Sequence, residues 1–305
     1  MRNFRREIET ASECSVELAE TEFSWSLSRH LLFRRCERAY FLHYYFAQGG
    51  WDTGADPVVR DAYAAKKLDT LEFWLGCETD RVFRESLDRV RLVSPQMRMF
   101  CFRKEMNLRL SHLKYRIPEE GFLHFDLPEE DAIRKIEYEL RNSFRCFMES
   151  PIPAILLKMQ RSNRINRNMD YEFYLNDTRI WQNPGVMWQE PGMHCSFRIR
   201  YLPFQEEYCR RAADLFALYC GTLFHEDMSL TILLAQVENK WQEFRFTGNA
   251  ECGREFVESS IAEMKSRIRP GKTVYIADFP ECGTPETCSE CRYKTICSIL
   301  REALE

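Results

Sequence analysis

Three cysteines close together, Cys288-Ser-Glu-Cys291 followed by Cys297, constrain this chain more than any other stretch of it. The first pair stands about one helical turn apart, so both thiolates reach one inorganic centre, and Cys297 adds a third ligand. A tetrahedral or cubane site needs a fourth. Two cysteines offer it: Cys282 on the same loop, and Cys36, far upstream in Arg34-Arg35-Cys36-Glu37-Arg38-Ala39-Tyr40. Four thiolates bind zinc or an iron–sulfur cluster, and ligand type alone leaves both open.

The rest of the composition fits a metal site better than a disulfide framework. The N-terminal MRNFRREIETASEC has no hydrophobic leader, so the expected compartment is the cytoplasm and the 13 cysteines are expected as thiols plus one metal site. Cys77, Cys101, Cys146, Cys195, Cys209 and Cys220, scattered among apolar neighbours, read as small buried hydrophobes. No apolar run reaches the ~18–20 residues that span a bilayer, so no membrane partner is expected. A net charge of −4 excludes a chain coated in positive charge but leaves room for local basic grooves. With 305 residues, the chain suffices for one large domain or two small ones.

The spacing of apolar residues predicts a helix from about Ser26 to Phe46, ended by Gly49-Gly50. A second helical region runs from Pro57 to Val90 with an interruption at Gly76. Residues 97–150 read as mainly helical, with Glu129 to Met148 strongly amphipathic. From Asp170 to Leu202 the text alternates between turns at Asn176-Asp177, Asn183-Pro184-Gly185 and Pro191-Gly192, which predicts an antiparallel meander. A helix over Gln205–Phe224, a strand over Ser229–Val237, a partner strand near Trp241–Phe246 and a helix over Cys252–Arg267 follow. The cysteine cluster and a short tail helix close the chain.

Phe23-Ser24-Trp25-Ser26-Leu27-Ser28-Arg29, with Phe33-Arg34-Arg35-Cys36-Glu37-Arg38-Ala39-Tyr40-Phe41, resembles the opening of RecB-like nucleases, S-x-S-R-L-x-x-F-x-x-C-P-R-x-Y-Y. Glu37 stands where those proteins usually carry proline. Cys288, Cys291 and Cys297 match the distal half of the same pattern, found in iron–sulfur members such as the AddB nuclease domain and CRISPR-associated RecB-like exonucleases. The resemblance implies Cys36 as fourth ligand ahead of Cys282, and a [4Fe-4S] cluster ahead of zinc. It also implies an α/β fold of the PD-(D/E)XK type, a mixed sheet flanked by helices. Residues 1–22 are then an arm, 23–56 and 151–279 the core, 57–150 a helical insertion, and 280–305 the cysteine segment closing onto the N-terminal helix. A cluster shared between the two ends acts as a staple, making binding energy into folding energy.

That family cuts phosphodiesters with Mg²⁺ or Mn²⁺ held by acidic residues and a lysine assisting. Each expected position departs from the pattern. Asp80 stands for a histidine in Gly76-Cys77-Glu78-Thr79-Asp80, and Gly185 for an aspartate. Arg198 and Arg200 replace the acid and lysine of D/E-x-K, and Ala212–Tyr219 lacks the glutamine of Q-x-x-x-Y. A degenerate, non-cutting nuclease is the expectation. Glu238 and Lys240, with Asp170, Glu172 or Glu190 as an upstream acid, are the residues a relocated active centre would use. Two arginines at i and i+2 share one face of a strand and favour anions over cations.

Lys158, Arg161, Arg164 and Arg167 recur every three residues, a basic stripe suited to backbone phosphates if helical. Tyr40, Phe41, Tyr44, Tyr45, Phe46 and Trp51 read as core with a capacity for base stacking. The expected function is a DNA-binding or scaffolding subunit on single strands, ends or junctions, partnered by a helicase or an active nuclease in DNA processing or defence. The alternatives are an active metal-dependent DNA nuclease and a protein-only adaptor.

Overall fold

The computed structural model describes residues 15–17, 23–90, 93–112, 122–123, 129–149, 171–200, 205–225, 228–237, 240–270, 273–282 and 284–304. In chain order the first elements are β1 (Ser15–Glu17), β2 (Ser24–Ser26), α1 (Leu27–Arg35), α2 (Glu37–Phe41), a π-turn over Leu42–Phe46 and α3 (Pro57–Lys67). Three long helices follow: α4 (Leu71–Val90), α5 (Pro95–Ser111) and α6 (Glu129–Glu149). Then come β3 (Glu172–Leu175), β4 (Thr178–Trp181), β5 (Val186–Glu190), β6 (Met193–Arg200), α7 (Glu206–Phe224), β7 (Ser229–Val237) and β8 (Lys240–Thr247). The chain ends with α8 (Ala250–Lys265), β9 (Thr273–Tyr275), α9 (Pro285–Ser289) and α10 (Lys294–Leu304). The fold is mixed α/β, and no described helix is long and apolar enough to cross a membrane.

The chain divides into two compact units, and their limits differ from the division expected above. One unit joins 1–69, 174–181 and 255–305. In it the helix expected from Ser26 to Phe46 starts where predicted, with the Ser26 hydroxyl accepting from the Arg29 amide at 3.2 Å. It does not continue unbroken. Cys36 takes an extended conformation, its amide still bonded to the Leu32 carbonyl while its sulfur accepts from the Ala39 amide at 3.4 Å. One residue therefore ends α1 and caps α2, since a sulfur or oxygen on a short side chain satisfies an orphan N–H of the next turn. Trp25, fully buried on β2, donates to the Ser260 hydroxyl of α8 at 2.8 Å. β2 pairs in parallel with β4, and β4 with β3 through a turn at Asn176 and Asp177, both at positive φ. Tyr40, Phe41, Tyr45 and Phe46 are core as expected, the first three packed with Phe279 and Phe46 with Phe41, whereas Trp51 is 68% exposed. Residues 15–17, placed by sequence in an arm, form β1 and pair with β9, because strand hydrogen bonds supplied by a distant segment are invisible to local reading.

The other unit joins 70–173 and 182–254. Its sheet has the order β5-β6-β7-β8, antiparallel, then parallel, then antiparallel, with α7 as the crossover that parallel β6 and β7 require. The single meander expected over 170–202 is thus two hairpins in two sheets. Gly185, at φ 78°, turns the chain between them in a conformation that glycine tolerates best.

The helices expected as an insertion share one core with this sheet. Phe83 of α4 meets Phe102 of α5 and Phe197 of β6 at ring separations of 5.9 and 5.3 Å, and Ile136 and Leu140 of α6 join the same cluster. α3 belongs to the first unit instead. Gly76 does not interrupt α4. The break falls before it, where the Thr70 hydroxyl accepts from the Phe73 amide at 3.2 Å, because the buried stripe of α4 outweighs the ~1 kcal/mol cost of one helical glycine. Cys195, Cys209 and Cys220 are buried as expected; Cys77 is exposed and Cys101 half-buried, since both stand on helix flanks turned partly to solvent. The side chain of Cys146 lies outside the described residues.

Candidate functional sites: a cysteine cavity and an arginine-lined pocket

The first site is built in the unit that holds both chain ends. Cys36 stands at the α1–α2 junction. Pro285 opens α9, which carries Cys288; the Cys291 amide bonds to the Cys288 carbonyl at 3.2 Å, and Lys294 to Cys291 at 3.1 Å, curling the loop before Cys297 on α10. All five cysteines singled out by sequence, Cys36, Cys282, Cys288, Cys291 and Cys297, line one cavity of about 180 Å³. Both candidates for the fourth ligand are therefore present. Cys282 and Cys288 sulfurs are 3.7 Å apart.

Sequence reasoning missed Arg38. Only 9% exposed, it donates from Nε to the Phe279 carbonyl at 2.8 Å, and its amide bonds to Pro280 at 3.1 Å. Its Nη1 lies 3.8 Å from Glu281. The match of Arg38 to the second arginine-containing half of the opening motif was the available signal; its partner could not be read from sequence.

The thiols are tuned by this setting. Burial, followed by the Glu281 carboxylate, pushes Cys297 up to about 12. Burial also raises Cys36, and Cys288 rises because it shares a hydrogen bond with Cys282. Cys282 runs the other way: burial pushes it up, but hydrogen bonds from Thr284, Cys288 and Cys36 outweigh that. A thiol-only donor set fits zinc or an iron–sulfur cluster. Among the described residues no three His, Cys, Asp or Glu side chains close tightly around a single ion; the sulfurs surround the cavity instead.

The second site lies wholly in the other unit, a pocket of about 260 Å³. α4 contributes Gly76 and Asp80, β6 contributes Arg198, and α7 contributes Ala212. Asp80 and Arg198, drawn from separate segments by the nuclease pattern, thus meet in space. Gly185 adjoins them: a Cβ there would lie 2.4 Å from the Phe197 carbonyl oxygen and 2.9 Å from Arg198 Cγ. No side chain fits where the pattern has an aspartate.

Asp80 Oδ2 lies 2.7 Å from Arg84 Nε, an i,i+4 ion pair that sequence reading passed over. Arg198 is half-buried and has no ion-pair partner among the described residues. Arg200 follows two residues on in β6; its side chain lies outside the described residues. Phe73, Tyr208 and Phe246 add aromatic walls that were also missed. The pocket holds one carboxylate, already paired, and two guanidinium groups.

Of the residues proposed for a relocated centre, Glu172 and Glu190 are not among those that line this pocket. Glu190 accepts from Trp188 Nε1 at 3.0 Å. Lys240 opens β8, and Glu172 opens β3; Glu238, Asp170 and the side chain of Lys240 fall outside the described residues. So do Lys158, Arg161, Arg164 and Arg167. No family model and no curated protein matches this chain.

Proposed function

We propose that the protein is a cluster-stapled relative of RecB-like nucleases whose cutting centre has become an anion-holding one. It acts as a DNA-binding or scaffolding subunit beside a helicase or an active nuclease. One observation carries this: Asp80 and Arg198 meet in one pocket, with Gly185 against Arg198, and the charged lining is Asp80, Arg84 and Arg198. Metal-assisted phosphodiester hydrolysis needs carboxylates to hold its cation, and two arginines beside one paired aspartate favour a phosphate instead. The mixed sheet with its α7 crossover supports a PD-(D/E)XK-like core.

Five thiols around one cavity support a thiolate-held [4Fe-4S] cluster. Cys36, Cys288, Cys291 and Cys297 would hold it, with Cys282 as the alternative fourth ligand. When bound, the cluster supplies a tie between the α1–α2 junction and the α9–α10 loop.

Anaerobic purification tests the cluster: brown protein absorbing near ~400 nm with bound iron is expected, and colourless protein carrying zinc overturns it. Fluorescence anisotropy with single-stranded and junction DNA at stepped salt tests the binding role. Mg²⁺- or Mn²⁺-dependent cutting that survives Arg198→Ala and dies with Glu238→Ala would establish an active enzyme instead. Absence of salt-sensitive DNA binding would leave the protein-only adaptor.

A further inference from the structure

A cluster of cations surrounds Tyr44 and His43 in the unit that carries the cysteine cavity. The Arg29 guanidinium lies 4.1 Å from the centre of the Tyr44 ring, and Lys66 Nζ lies 5.9 Å from it. The His43 ring stands 4.6 Å from the same centre. Arg292 reaches across from the α9–α10 loop and donates to the Lys66 carbonyl at 3.1 Å. Three elements far apart in sequence thus bring their positive groups together.

Their counter-charge is incomplete. Asp69, 3.8 Å from Arg292, is the carboxylate that faces the group. Neither Arg29 nor Lys66 has a carboxylate partner among the described residues. Arg29 is anchored by Nη1 to the Ser24 hydroxyl at 2.6 Å and to the Ser24 carbonyl, while its Nε is buried with no hydrogen-bond partner. Burial and then Arg29 lower Lys66, and burial followed by Lys66, Arg292 and Arg29 drives His43 down to about 3. Like charges crowded at a half-buried spot cost stability unless an anion from outside joins them.

The imidazole can add a donor. The His43 Nδ1 and the Tyr293 hydroxyl are 2.8 Å apart. When that hydroxyl donates, the neutral ring carries its proton on Nε2. An oxyanion with several acceptor oxygens suits a lysine, two guanidinium groups and an imidazole N–H at once.

We propose that Arg29, Lys66, Arg292 and His43, gathered beside the Tyr44 ring, form a binding site for an oxyanion of the phosphate class. The site is separate from the arginine-lined pocket and does not rest on nuclease ancestry. Its phosphate comes either from a free small molecule or from the backbone of a nucleic-acid strand.

The test uses the full chain, purified anaerobically, with inorganic phosphate by calorimetry at constant ionic strength and a fluorescent oligothymidylate by anisotropy. Lys66→Gln is expected to weaken phosphate binding roughly tenfold, as for loss of one charge-assisted hydrogen bond, and Lys66→Arg to restore it. A parallel loss of oligothymidylate affinity, with a salt slope shallower by about one, assigns the phosphate to a strand backbone. Unchanged oligothymidylate binding beside weakened phosphate binding assigns it to a free small molecule. Wild-type protein that binds neither probe, or a folded Lys66→Gln variant that binds both undiminished, overturns the site.

Discussion

Arg38 Nε donates a 2.8 Å hydrogen bond to the carbonyl of Phe279. Through it the helix that begins at Cys36 is tied to the loop that leads into Cys282, before any metal is considered. The protein therefore carries a polar clasp alongside its cysteines. A buried guanidinium bonded to a carbonyl is a strong anchor because leaving either group unpaired is expensive.

Arg38→Ala is expected to destabilise the protein by about 2–3 kcal/mol and, if the proposed cluster is bound, to lower the iron content. Urea denaturation and iron analysis of the anaerobic protein check both. A change under about 0.5 kcal/mol with full iron loading would mean that the clasp is incidental.

Single Cys→Ala variants separate the candidate ligands. Loss of Cys36, Cys288, Cys291 or Cys297 is expected to abolish the absorbance near ~400 nm, while Cys282→Ala retains it. The reverse outcome for Cys36 and Cys282 would move the fourth ligand onto the loop. Five cysteines line the cavity and the proposed cluster would take four, which makes this comparison decisive.

His43 gives the protein an acid sensitivity. Its imidazole, held at about 3 chiefly by burial, ordinarily titrates at 6.5. Between those values the unfolded chain binds a proton that the folded protein refuses, so stability falls as pH drops from about 6.5 toward 3. Denaturation curves at pH 7 and pH 5 should show a loss in the wild type that is smaller in His43→Gln. Equal losses in both would assign the acid sensitivity to other groups.

Gly185→Asp is expected to destabilise by roughly 2–4 kcal/mol and to create no Mg²⁺-dependent cutting, alone or with Arg198→Asp. The cause is positional: φ is 78° and the new Cβ would strike the Phe197 carbonyl. A stable variant that cuts DNA would show that β6 yields easily.

Much of the local structure was legible. The strand over Ser229–Val237 and the helices near Gln205–Phe224 and Glu129–Met148 followed from period and caps, because each buries one regular face. The break at Cys36 was not legible: a run of apolar residues at helical spacing continues across it, and the extended backbone of Cys36 and its sulfur's bond to the Ala39 amide mark it in the fold. The single meander failed for a related reason, since Asn176-Asp177 and Pro191-Gly192 predict hairpins without saying which sheet each hairpin joins.

By itself the sequence determined the chemistry available here: five cysteines at its two ends, and two arginines at i and i+2 of one strand. Tertiary structure alone decided what that chemistry faces. It brought Gly76, Asp80, Arg198 and Ala212 to one pocket, paired Asp80 with Arg84, closed Gly185 against a carbonyl, and gathered Arg29, Lys66 and Arg292 around Tyr44. Residue types and spacings are local properties written along the chain. Burial, ion pairing and the convergence of distant cations depend on which faces pack together, and long-range contacts fix that.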